Sequence, residues 1–175
     1  MQIVAFTASQ LLARSSDFER LLADAVTHGA SIGFMLPLDA DEAEAYWRSV
    51  AAQIESGGKV LFAALGADGS LLGSGQLAFE SRANGRHRAE VQKVMVRHAA
   101  RGRGIGAELM RALEAEARRA GRTLLFLDTS VGVSGAVQFY EKLGYTFVGS
   151  IPDYARDPDG AFAPNAIFFK RISVT

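Results

Sequence analysis

Val91-Gln-Lys-Val-Met-Val-Arg-His-Ala-Ala-Arg-Gly-Arg-Gly-Ile-Gly-Ala107 runs from an apolar stretch through a short basic turn into three glycines at alternate positions. Glu90 to Val96 alternates as a strand does, and the residues after Gly104 repeat apolar side chains at helical spacing. Glycine lets a backbone come close to a ligand because no side chain intervenes. The first turn of a helix presents N–H groups without internal partners, at the positive end of its dipole. Gly102, Gly104 and Gly106, with Arg101 and Arg103 beside them, therefore suit an anion, and a diphosphate in particular. The plainer alternative is that these glycines serve a tight turn and close helix–sheet packing.

Downstream, Gly104–Ala120 is predicted helical, with Ile105, Leu109, Leu113 and Ala117 on one stripe. Glu108/Arg111 and Glu114/Arg118 are spaced to pair along its surface. Thr123–Leu127 is a continuous apolar run, expected of a strand buried on both faces. Ser134–Leu143 reads as a short helix leading through Gly144 into a strand at Tyr145–Ile151, and Ala166–Ile172 as the last strand. Upstream, Met1–Thr7 reads as a strand and Ser15–Gly29 as a helix, with Phe18, Leu21, Leu22, Ala25 and Val26 at helical spacing. Asp39–Ser56 is a second helix, with Asp39, Asp41 and Glu42 near its positive end. Lys59–Gly66 and Leu71–Phe79 are strands joined by a hairpin turn. The order is β α α β β β α β α β β, an α/β arrangement expected to form one domain over residues 1–175.

The chain has 175 residues, 49% of them hydrophobic and 22% charged, a globular balance. Lys+Arg and Asp+Glu both number 19, so bulk charge gives no reason to expect nucleic acid or an anionic membrane as partner. The charge is nevertheless uneven. Seven basic residues and one acid, Glu90, lie between Arg82 and Arg103, whereas the first 56 residues carry eight acids against three arginines. No apolar run is long enough to span a bilayer, and the start, Met1 to Ala8, lacks the basic residues of a signal peptide. Cysteine is absent, which removes disulfides, thiolate metal sites and cysteine nucleophiles. A cytoplasmic location is expected, and a homodimer is compatible with all of this. His28, His87 and His98 show no metal-ligand spacing, so no metal is expected.

Three ligand classes compete for the glycine loop. A Walker loop needs Lys-Ser or Lys-Thr where this chain has Ala107-Glu108. A dinucleotide fingerprint fits Gly102-x-Gly104-x-x-Ala107 in outline, with Asp128 after the next strand. That fold, however, turns directly from strand to first glycine, and here Arg97 to Arg101 intervene. Coenzyme A, a diphosphate with a long peptide-like arm, is the third. A hydrolase elbow at Gly132-x-Ser134-x-Ala136 fails because no histidine follows Ser134.

Arg101-x-x-Gly104-x-Gly106 resembles the (Gln/Arg)-x-x-Gly-x-(Gly/Ala) signature of the GCN5-related N-acetyltransferases, the GNAT superfamily. Ala136-Val-Gln-Phe-Tyr140-Glu-Lys-Leu-Gly144-Tyr145 is similar to that family's second motif. Gly29-Ala-Ser-Ile-Gly-Phe34, Ala89-Glu-Val-Gln-Lys93, Leu127-Asp-Thr129 and Pro158-Asp-Gly160 look like the tabtoxin-resistance acetyltransferases, which acetylate the amine of a β-lactam amino acid. The resemblance implies a mixed, mostly antiparallel central sheet with helices on both faces, and acetyl-CoA as cosubstrate. Val94, Met95 and Val96 would hold the pantetheine arm, and residues Arg101 to Ala107, Ile105 included, the diphosphate. Where the family often has a coenzyme-binding Asn, this chain has Val133. The hydroxyl of Ser134 beside it is the substitute, or else a helix cap.

The implied reaction moves an acetyl group directly to an amine, which must first lose a proton. Asp128 and Glu90 are the candidate bases; structural alternatives are an Arg122 or Arg103 partner for Asp128, and Arg86 or Arg88 for Glu90. Tyr140 matches the family's general acid. Phe34 and Met35 are expected to wall the acceptor pocket, with Asp128 against the acceptor and Asp39, Asp153 or Tyr154 within reach of an ammonium group. Loops Ser31–Leu38 and Pro152–Pro164 would select it. A small-molecule amine, such as a toxin or antibiotic-like amino acid, is the expected acceptor. The alternatives are a protein amino group, or a non-catalytic acyl-CoA sensor.

Overall fold

Alternating runs become strands and 3.6-periodic runs become helices in the computed structural model, which describes residues 1–131 and 135–173. The elements are β1 (Gln2–Phe6), α1 (Ala8–Ala13), α2 (Ser15–Thr27), α3 (Ala40–Glu55), β2 (Lys59–Leu65), β3 (Leu71–Phe79), β4 (Arg88–Val96), α4 (Ile105–Arg119), β5 (Leu124–Ser130), α5 (Ala136–Lys142), β6 (Thr146–Gly149), β7 (Ala155–Arg156), β8 (Phe162–Ala163) and β9 (Asn165–Arg171). Among the described residues, seven strands form one sheet in the order β1-β2-β3-β4-β5-β9-β6, parallel only between β4 and β5. Phe18, Leu21, Leu22 and Trp47 of α2 and α3 cover one face through Leu61, Ala63 and Met95. Met110, Leu113 and Ala117 of α4 cover the other through Leu77, Val91, Leu125 and Leu127. This is the α/β architecture expected, with helices on both faces. No described helix is long and apolar enough to cross a membrane.

Two elements were not foreseen. Helix α1 begins at a capping box, in which Gln10 N–H donates to Thr7 Oγ1 at 3.2 Å and Thr7 N–H to Gln10 Oε1 at 2.9 Å. The small β7–β8 hairpin lies within the Pro/Asp-rich loop and reaches the α2–α3 loop, where Leu36 N–H donates to Pro158 O at 3.1 Å. Strand β5 also runs on to Ser130. Leu125 and Leu127 are buried, but Leu124 and Phe126 are only half-buried, so it is not sealed on both faces. Glu114, expected on the surface, is buried. Its two oxygens accept from Lys170 Nζ at 2.8 and 2.9 Å, which ties α4 to β9.

The feature that positions the site is a split in the sheet. β4 and β5 share three rungs, Arg88–Leu124, Ala89–Leu125 and Glu90–Phe126, although β4 continues to Val96 and β5 to Ser130. On its other edge β4 carries a bulge: Gln76 faces Gln92 and Ser74 faces Met95, so β4 has one residue more than β3 between these rungs. Lys93 sits in the extra turn of chain at φ 48°, a region that non-glycine residues rarely occupy. A bulge bends the strand that carries it. Here the bend follows the last rung to β5, and the two strands part.

Candidate active site

The split opens into a cavity of about 570 Å³, within the range of small-ligand sites. Val94, Met95 and Val96 form one wall, Thr129 and Ser130 of β5 another, and Tyr140 and Phe139 of α5 part of a third. Beyond Glu90, β4 has β3 on one edge and, among the described residues, no strand on the other. Its free edge can therefore pair with an extended, amide-bearing ligand as an added strand would.

At one end of the cavity the glycine loop starts α4. Gly102 and Gly104 stand at φ 75° and 77°, which glycine adopts without strain. Gly104 is the N-cap and no side chain caps the helix; its first internal bond is Glu108 N–H to Gly104 O at 3.1 Å. The N–H groups of Ile105, Gly106 and Ala107 precede that bond, and these residues line the cavity. A Cβ on Gly106 would come within 3.2 Å of Phe139 Cζ. Arg101 and Arg103 are exposed beside the loop, bonded only to backbone: Arg101 Nε donates to Val96 O at 3.3 Å and Arg103 Nη2 to Ala99 O at 3.4 Å. An uncapped helix start, bare glycines and two arginines without acidic partners among the described residues fit a diphosphate.

At the other end is Tyr140, which lines the cavity; the candidate bases Asp128 and Glu90 are not among the lining residues. Leu125 and Leu127 face α4, so by alternation Asp128 faces the opposite side. It is exposed, and its charge acts on Tyr140 and on Lys93. Burial first, and the Asp128 charge second, push the Tyr140 phenol up to about 12, so it keeps its proton across the neutral range. Glu90 is half-buried and accepts from Gln92 Nε2 at 2.8 Å. Beneath it Lys59, 6% exposed, donates to Gln76 Oε1 at 3.0 Å and Gln92 Oε1 at 2.9 Å, while Gln76 Nε2 donates to the Tyr46 hydroxyl at 2.8 Å. Burial lowers the pKa of both Lys59 and Lys93.

Among the described residues, none of the four arginines expected as partners for the two acids pairs with them: Arg86 donates to Ser81 O and Arg103 to Ala99 O. Arg88 pairs with Glu80 at 2.9 Å, and Arg122 bonds to the carbonyls of Glu80 and Arg86. The acceptor wall also differs from expectation. Phe34 is buried in the core, edge-on to Tyr46 at 5.2 Å, and Met35 is exposed outside the cavity; Ser31 and Ile32 line it instead. Apolar loop residues gain more by joining the core than by walling a wet cleft. Ser134 lies outside the described residues. His28 also lines the cavity, stacked on His98 at 4.0 Å, a pairing between α2 and the basic turn that no local spacing signals. No cluster of metal-ligating side chains occurs among the described residues.

The sequence pattern of the Acetyltransferase (GNAT) family matches residues 19–145. An IAA acetyltransferase from Azospirillum brasilense is 33% identical over 94 residues, 54% of this chain; the match spans 60% of that relative's length. Among solved structures, a phosphinothricin acetyltransferase from Sinorhizobium meliloti, in complex with AcCoA, superposes with TM-score 0.80 at 18% identity, covering 98% of this chain and 88% of that one. A ribosomal-protein-alanine N-acetyltransferase from Brucella melitensis gives 0.78 at 21%, covering 98% and 100%. The chain belongs to the acetyltransferase (GNAT) family.

Proposed function

We propose that this member of the family is an acetyl-CoA-dependent N-acetyltransferase that moves an acetyl group directly to the amine of a small molecule. The observation that carries the reading is the continuity of one cavity from an uncapped helix start, past the free edge of β4, to Tyr140. The coenzyme supplies an acetyl group activated as a thioester. The loop Gly102–Ala107 holds its diphosphate with Arg101 and Arg103, and the edge Val94–Val96 aligns its arm. A backbone N–H of that edge stabilises the charge that develops on the acetyl oxygen. Asp128 or Glu90 accepts the amine proton, and Tyr140 returns one to the departing thiolate. A toxin-like amine met in the cytoplasm, with resistance as the outcome, is the setting this reading favours.

The test has two stages. Calorimetry with acetyl-CoA is expected to give saturable binding, and thiol release is expected with at least one small amine. No binding at millimolar coenzyme overturns the reading. Binding without release to any amine or peptide makes the chain an acyl-CoA sensor instead.

A further inference from the structure

Lys93 stands beside the cleft, next to the lining residue Val94 but not itself among the residues that line the cavity. It holds a positive φ at the bulge, and its ammonium lies 3.6 Å from where a Cβ on Gly33 would stand, under the loop whose Ser31 and Ile32 line the cavity. Among the described residues, neither the Lys93 ammonium nor the Asp128 carboxylate makes a hydrogen bond or an ion pair. Burial lowers the pKa of Lys93, and the charges of Asp128, across the gap between β4 and β5, and of Glu90 act on it in the opposite sense. The contrast with Lys59 is direct, because two glutamine oxygens satisfy that ammonium. Two opposite charges left unpaired beside a cavity are complementary to a ligand of the reverse polarity.

We propose that the acceptor is amphoteric, with a carboxylate beside its amine, and that Lys93 reads the carboxylate while Asp128 receives the amine. This rests on the acetyl-transfer reading. Asp128 acts on Tyr140, so the amine end lies toward the reacting thioester and the carboxylate end under Gly33. An amine lacking the carboxylate answers only one of the two charges and leaves the Lys93 ammonium half-buried without a partner.

The experiment measures thiol release by the full chain at saturating acetyl-CoA. Its acceptors are the twenty standard α-amino acids, their α-carboxamides, and carboxylate-free amines including polyamines and aminoglycosides. At least one free amino acid is expected to exceed its amide by tenfold or more in kcat/KM. Lys93→Met brings that ratio toward one, chiefly through KM, and Lys93→Arg keeps part of it. Equal use of acids and amides by the unaltered protein, or an unchanged ratio in Lys93→Met, overturns the proposal. If Lys93→Met does not fold, the unaltered protein and Lys93→Arg still decide it. Release only with carboxylate-free amines overturns this inference and leaves acetyl transfer standing. Release with none, despite coenzyme binding, overturns both.

Discussion

Glu90 stands opposite Phe126 in the last rung of the parallel ladder between β4 and β5, and beyond that rung the two strands part. The rung is the apex of the cleft. It puts one candidate base at the apex and the other, Asp128, two residues further along the diverging strand.

The two bases differ in how free they are. One Glu90 oxygen accepts from Gln92, whereas Asp128 has no hydrogen-bonded partner among the described residues. Asp128→Asn is therefore expected to lower kcat/KM by roughly 100-fold, the low end for a positioned acid or base. Glu90→Gln should cost less than tenfold. Steady-state kinetics with any working amine checks this, and the reverse order would make Glu90 the base.

Tyr140 is buried among Phe139, Tyr145 and Phe168, at ring separations of 5.0, 5.9 and 5.8 Å. Phenylalanine preserves that packing and removes only the hydroxyl. Tyr140→Phe is expected to lower kcat by about 100-fold with the acetyl-CoA dissociation constant unchanged. Its phenol titrates only near 12, so loss of this acid cannot produce an alkaline fall in kcat below pH 10. An unchanged kcat removes Tyr140 from the mechanism.

Gly104 tests the cradle separately from the chemistry. Nothing lies within 4 Å of a Cβ built there, so alanine meets no clash, but its φ of 77° disfavours any side chain. Relief of about 1–2 kcal/mol of strain would pull the loop from its shape. Gly104→Ala is expected to weaken acetyl-CoA roughly tenfold by calorimetry, with little change in kcat at saturation.

Most of the scaffold was legible because its signals are local. Asp39 caps α3 through Glu42 N–H at 3.0 Å, Gly104 opens α4, and the bounds of β3 follow its apolar run. The Thr7–Gln10 capping box was equally local and marks α1, but the helix is too short for periodicity to announce it. What sequence patterns do not carry is contact between distant segments. Phe34 turned inward because Tyr46 offered a partner, and Glu114 looked like a surface residue until Lys170, 56 positions away, met it. The bulge at Lys93 is likewise a property of two strands together, since β4 read alone shows only alternation.

The Glu114–Lys170 pair gives a stability prediction. Glu114 is 9% exposed, and Lys170 also donates to Leu143 O at 2.7 Å, closing α5 against β9. Lys170→Met keeps the apolar stem and leaves the buried carboxylate only the longer contact to Arg118, at 3.5 Å, at a cost of about 3 kcal/mol. Calorimetric melting should fall by roughly 6–12 °C. Adding Glu114→Leu removes the stranded charge and should recover at least half of that loss. No recovery would mean that packing, rather than charge, explains the single variant.

Glu80 gives a prediction for acid pH. Its Oε1 accepts the Arg82 N–H at 2.9 Å and its Oε2 pairs with Arg88 at 2.9 Å, fastening the turn that leads into β4. The Arg82 N–H first and the Arg88 guanidinium next favour the ionised form and hold this carboxyl down at about 2. A carboxyl depressed on folding takes up its proton sooner in the unfolded chain. Its contribution is therefore complete above its ordinary value of 4.5, shrinks as pH falls below that, and is gone once pH passes about 2. Glu80→Gln lacks the titration, so urea midpoints for the two proteins should differ by a constant amount above 4.5 and converge as pH approaches 2. Parallel curves through that window would show that the Arg88 contact does not hold in solution. The turn would then have to be fixed by its backbone bonds, such as Gly85 N–H to Arg82 O at 2.9 Å, and by the Arg122 bonds to the Glu80 and Arg86 carbonyls.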